Sequence, residues 1–216
     1  MNRQYFEKVF SNRRMQRFFD RYPGNEPKAA VHYQANIQLS EALYPVLSVF
    51  EVALRNSLNR ELTTMFGTAD WYLHLSATAG LKDLNREITL AQKHITKRGE
   101  QISADKIVAE LTLGFWTRLL NAEYEKILWK DLRRAFPFIA KKDKTRHNVS
   151  SPINQIRNLR NRIFHHEPIA WNLTKLDSLH KDTLKVCGWL NKDLPAFING
   201  FDKFDAVLAS TRLNLA

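Results

Sequence analysis

Cysteine is almost missing from these 216 residues: Cys187 is the only one. No intrachain disulfide can form, and a reducing, cytoplasmic setting fits such a chain. Glycine and proline are sparse, with seven of each beside 44% hydrophobic residues. That excludes a collagen-like or low-complexity chain and points to a folded, helix-rich protein. Acidic residues are in short supply, 22 Asp and Glu against 33 Lys and Arg, which leaves a formal net charge of +11 and a pI of about 9.8. This balance favours polyanionic partners, nucleic acid first and acidic membrane surface second. Long apolar runs are lacking too. The best, residues 43–50, is interrupted by Pro45 and closed by Glu51, too short to span a bilayer, so no membrane partner is expected. The N-terminus carries Arg3, Lys8, Arg13, Arg14 and Arg17 around no signal-peptide core. Neither strand alternation nor a repeat is visible, and the expected fold is all-α.

What is present is helical periodicity and a concentrated positive charge. Between Lys126 and His166 stand Lys126, Lys130, Arg133, Arg134, Lys141, Lys142, Lys144, Arg146, Arg157, Arg160 and Arg162, against Asp131 and Asp143. Residues 1–27 form a basic arm or docking helix. Their aromatics, Tyr5, Phe6, Phe10, Phe18, Phe19 and Tyr22, need burial, which favours docking. Helices are expected over residues 28–43 and 46–65, with Pro45 in the first turn of the second and Gly67 as its terminator. Glu51 and Arg55 sit on its flank at i, i+4, either as a helix salt bridge, which the spacing favours, or as polar groups facing a site.

Further helices follow over 81–97 and from a Ser103 cap through Leu120. The latter passes Glu110, which is either solvated or paired, and Gly114, which suggests close packing of a neighbour. Another covers 122–135, with Ile127, Leu128 and Leu132 inward. A polar basic connection spans 141–151, and Ser151-Pro152 reads as the cap and first turn of the next helix. Residues 174–190 and a short segment near 204–208 complete the set. Cys187 lies in an apolar run and reads as packing.

Residues 153–168, INQIRNLRNRIFHHEP, are the stretch that asks for a function. On a helix, Ile153, Ile156, Leu159, Ile163 and Phe164 share one apolar arc. Arg160 falls inside it, where a guanidinium is costly unless something anionic or polar meets it. Arg157, Asn161 and His165 step along the edge of the arc at i, i+4, i+8. Glu167-Pro168 ends the helix, placing His165 in or near its last turn. An arginine, an amide and a histidine near one helix end make a candidate site, although arginines also snorkel to solvent. His165, His166 and Glu167 do not make a metal site. Neighbouring histidines diverge by roughly 100° on a helix, and no second cluster at ligand spacing accompanies them. No metal or other cofactor is expected.

Residues 160–165, RNRIFH, match the R-N-x-x-x-H motif of HEPN-superfamily ribonucleases, and the chain resembles the Abi-like (abortive infection) family of bacterial HEPN proteins. FEVALRNSL (residues 50–58), AELTLGFW (109–116) and IRNLRNRIFHHEPI (156–169) carry the resemblance, in the family's order, over roughly residues 30–190. It implies a HEPN-like helical bundle with additional helices: residues 28–192 as the domain and 193–216 as an extension packed on it. It also implies metal-independent RNA cleavage by a homodimer that brings two motif helices together, in phage defence or as a toxin, with an antitoxin or phage-derived trigger as a further partner.

Under that resemblance the 2′-hydroxyl of RNA attacks the adjacent phosphorus. His165 serves as base, because histidine is the side chain suited to proton transfer near neutral pH. Arg160 clamps the phosphate through its planar fork. Asn161 orients His165 or holds a phosphate oxygen. His166 substitutes for or assists His165, and Glu51, Arg55 and Glu110 are assisting candidates. Arg157, Arg162, Lys141, Lys142, Lys144 and Arg146 are the expected RNA-binding residues. The reading from another class is a non-catalytic RNA-binding or regulatory module. A helical DNA-binding protein is disfavoured by the lack of helix-turn-helix spacing.

Overall fold

One helix of 41 residues, α3 (Glu26–Phe66), runs through a computed structural model that describes residues 3–216. It starts where the side chain of Asn25 accepts a hydrogen bond from the Lys28 amide, with Pro27 in the first turn, and stops at Gly67, whose φ of 69° is left-handed. At 1.5 Å per residue it is about 60 Å long. The two helices expected on either side of Pro45 are therefore one. Proline removes a single backbone donor there, whereas Leu39, Ala42, Leu43, Val46, Leu47 and Phe50 around it are all buried and keep the axis continuous. The apolar stretch is accordingly longer than residues 43–50. By length and composition alone α3 could cross a membrane, but here its apolar side forms the centre of the molecule.

Around α3 the described residues are helices and turns with no strand, an all-α fold. Two short helices, α1 (Arg3–Phe10) and α2 (Asn12–Arg21), dock on its N-terminal part. They bury Phe6, Met15, Phe18 and Phe19 with Ala29 in a small core of their own, flanked by Tyr22, Tyr33 and Trp171. The main core collects α3, α4 (Asn85–Lys97), α5 (Ala104–Glu110), α6 (Leu113–Arg118), α7 (Lys130–Leu132), α8 (Arg146–Phe164), α9 (Leu173–Leu190), α10 (Leu194–Asn199) and α11 (Phe204–Leu215). Helix α9 packs on both α3 and α8, and α11 lies against α3.

Several boundaries differ from the expected ones. The helix expected from Ser103 through Leu120 breaks at Leu111, which is extended, and Thr112 caps a new helix by accepting from the Phe115 amide. A Cβ on Gly114 would come within 3.3 Å of that capping hydroxyl, so the near neighbour is the helix's own cap. Residues 122–135 wind through a 3-10 turn, a π turn (Glu125–Trp129), α7 and a second 3-10 turn. The wider π turn shifts the register, leaving Ile127 half-buried while Leu128 and Leu132 are buried. Helix α8 starts not at Ser151 but at a Thr145 cap that accepts from the Asn148 amide, with Pro152 inside the helix. Val149 and Ser150, ahead of that proline, are buried and hold the extra turns in place. Helix α11 runs on to Leu215, beyond the short segment expected, and buries Phe204, Leu208 and Thr211.

Candidate functional site

Helix α8 ends at Phe164, and its end is built by hydrogen bonds the local sequence only half announces. The His165 amide donates to the Asn161 carbonyl at 2.9 Å, the His166 amide to Ile163 at 3.0 Å and the Glu167 amide to Arg162 at 2.8 Å. The last two are the paired bonds of a Schellman cap. His166 occupies the left-handed position, with φ 55°, that glycine commonly fills. Beyond Pro168 the chain is fastened to α3: Asn36 Oδ1 accepts from the Ile169 amide at 2.6 Å and the Ala170 amide at 3.1 Å. His32, one turn earlier on α3, donates from Nε2 to the Ala170 carbonyl at 3.1 Å. Both side chains are buried. They are positioning residues that sequence reasoning passed over. The signal available was two polar residues, four apart, on the apolar face of a helix.

Arg160 meets the anion its place in the arc demands. Its Nε donates to Glu51 Oε2 at 3.1 Å, and the two side chains are equally half-buried. Its guanidinium carbon lies 3.9 Å from the centroid of the Phe164 ring, which stacks on Tyr44 at 5.7 Å. Phe164 is 42% exposed, so the end of the expected apolar arc faces outward instead of into the core. Arg160, Phe164, Glu51, Arg55, Tyr44 and Val52 line a groove of about 230 Å³ between α3 and α8. Glu51 and Arg55 are thus on this groove together, with Glu51 paired to Arg160 across the fold and Arg55 bonded to Asn56 at 3.4 Å.

The other candidates divide among separate places. Asn161 on α8 and His165 just past its end are exposed, outside that groove. On a regular helix His165 would stand about 140° around the axis from Arg160. His166 and Arg162 line a second groove against α2. Arg157 donates from Nη1 to Thr117 on α6 at 3.2 Å, and its Nε is buried without a partner. Arg146, only 15% exposed along its side chain, is held by Glu125, Ser150 and the Leu120 carbonyl. Lys141, Lys142 and Lys144 are surface residues before the start of α8, about 30 Å along the helix from His165. Glu110 belongs to a different charge cluster, pairing with Arg98 at 2.9 Å and His94 at 3.0 Å.

Two of the stretches singled out in the sequence, the Glu51 segment of α3 and the α5–α6 segment that leads to Thr117, converge on α8. The Abi-like protein family matches residues 3–172. The chain belongs to the Abi-like family. The match begins nearer the N-terminus than the three motif stretches suggest and takes in α1 and α2, then ends just before α9. No curated protein and no solved structure matches the chain.

Proposed function

We propose that this Abi-like protein is a metal-independent RNA endonuclease of the HEPN type, acting in phage defence by abortive infection or as a toxin. The observation that carries the reading is Arg160. It is a half-buried arginine at a groove, held by one carboxylate through Nε and backed by an aromatic ring. No other described residue bonds its terminal nitrogens, which suit a phosphate in the planar, two-pronged way of a guanidinium.

In the proposed reaction the 2′-oxygen attacks phosphorus while His165 takes its proton. The P–O5′ bond breaks, the departing 5′-oxygen takes a proton from solvent water, and His165 returns to solvent the proton it removed. Arg160 offsets the charge that builds on the phosphorane oxygens, and Asn161 holds either His165 or a phosphate oxygen. Arg160 and His165 lie on different faces in one chain, so the site is completed by a second copy. The exposed rim of Tyr44, Val52 and Phe164 offers an apolar surface for it.

Incubation of the purified protein with RNA, followed by mapping of the new ends, tests this. Products ending in a 2′,3′-cyclic phosphate and a 5′-hydroxyl are expected, formed equally well in chelator and lost in His165→Ala. Strict dependence on added magnesium, or full activity in His165→Ala, would overturn the mechanism. The Glu51–Arg160 pair favours a second reading, a non-catalytic RNA-binding module, because it offsets the charge of the arginine without substrate. Binding without cleavage would select it.

A further inference from the structure

The two non-glycine residues with positive φ among those described, Ser11 (φ 68°) and His166 (φ 55°), both line one groove. Its volume is about 420 Å³, and its walls are the start of α2 and the end of α8. Arg13, Arg14 and Arg17 come from α2, and Arg162 comes from α8. One carboxylate, Glu167, lies among these four guanidinium groups, 3.5 Å from Arg162. No acidic residue stands in the first turn of α2, and Ser11 makes no side-chain cap bond there, so the positive end of the helix dipole adds to the field.

Some of these arginines are committed to structure. Arg14 donates to the His166 carbonyl at 3.0 Å and Arg162 to the Pro168 carbonyl, whereas Arg17 lies over the Trp171 ring at 5.2 Å, a contact that uses none of its N–H groups. None of the α2 arginines is paired with a carboxylate among the described residues.

We infer that this groove is a phosphate-binding track for single-stranded RNA, in which α2 delivers the strand to His165, one residue before His166. It rests on the reading of the protein as an RNA-binding nuclease. It assigns the N-terminal helices, whose apolar faces dock them and whose arginines remain outside, a share in substrate binding. Along α2, Arg13 and Arg17 are one turn apart, about 6 Å, a ladder of cations along which a backbone can lie. A flexible single strand can follow so short a ladder of cations more readily than a stiff duplex can, and arginine serves phosphate better than lysine because its fork contacts two oxygens at once.

The test uses the full chain with Arg13→Gln and Arg17→Gln combined, leaving the backbone-bonded Arg14 and Arg162 intact. Binding of a short single-stranded RNA is measured across a salt series in chelator, with thermal unfolding as a check on folding. Loss of two phosphate contacts should lower the log–log salt slope by about 1.4 and weaken binding at low salt at least about tenfold, whatever the RNA sequence. The Arg13→Lys, Arg17→Lys variant, which keeps the charges, should retain the slope. Parental affinity and slope in the glutamine variant would overturn the track, even if the parent protein cleaves RNA. A reduced slope in that variant supports the track, even if neither protein cleaves. Binding of poly-glutamate with none of RNA would assign the groove to an acidic protein partner and overturn the proposal.

Discussion

His32 is a neutral histidine by construction. It is 3% exposed and its Nε2–H is used by the Ala170 carbonyl, so Nδ1 carries the lone pair and has no partner. Trp171, Phe18 and Tyr22 surround the ring edge-on. Burial foremost, and then the charge of Arg21, push its pKa below the ordinary 6.5, against the pull of the Ala170 bond. A histidine depressed in the folded state costs nothing above its unfolded value. As pH falls through about 6.5 toward the lowered folded value, the unfolded chain binds the proton first and stability declines. His32→Gln keeps a donor for Ala170 and removes the titration. Urea midpoints between about pH 8 and pH 5 should therefore fall less in the variant than in the parent. Parallel curves would show that His32 does not contribute to acid sensitivity. Cys187 is the opposite case among buried groups: burial alone pushes its thiol up to about 12, which keeps it inert and agrees with a packing role.

At the scale of elements, the cap of α8 joins strain to position. His166 holds φ 55° where glycine carries no penalty. His166→Gly should therefore raise stability by about 0.5–1 kcal/mol, the relief of strain exceeding the extra freedom of the unfolded chain. His166→Val, branched at Cβ, should lower it by a similar amount or more. A lower unfolding midpoint for the glycine variant would show that the His166 side chain contributes more than its backbone costs. The same helix shows what local pattern reveals. Ile153, Ile156, Leu159 and Ile163 are buried as their spacing predicts, and on other helices Ser103 and Gly67 act as the cap and the stop expected of them. Pro45 and Pro152 read as boundaries because each removes a donor, yet burial of their neighbours outweighs one lost bond. The need of Arg160 for an anion was legible, but the identity of that anion was not. Glu51 is 109 residues away, and spacing offered it Arg55 instead. The Asn36 and His32 fastening of residues 169–170, across more than 130 positions, lies equally beyond any local signal.

Across the whole molecule, the surface divides the chemistry that the motif keeps together in sequence. Arg160 opens on the groove beside Glu51, whereas His165 stands clear of it and His166 belongs to the arginine-lined groove against α2. If the nuclease site is completed between two copies, each site takes Arg160 from one chain and His165 from the other. Two inactive proteins, Arg160→Ala and His165→Ala, then complement. In a mixed two-fold dimer one of the two sites is wholly intact and the other lacks both groups. Random exchange makes half the dimers mixed, so about a quarter of the parent cleavage rate should return. The measurement is cleavage of a labelled RNA by the mixture after subunit exchange, with each variant alone as the baseline. Its rate should fall on dilution as dimers dissociate. No recovery in a mixture whose dimers demonstrably exchange would place both groups of each site on one chain. The separation of Arg160 and His165, about 140° on a regular helix, would then have to be bridged by movement of the exposed His165 just past the end of α8.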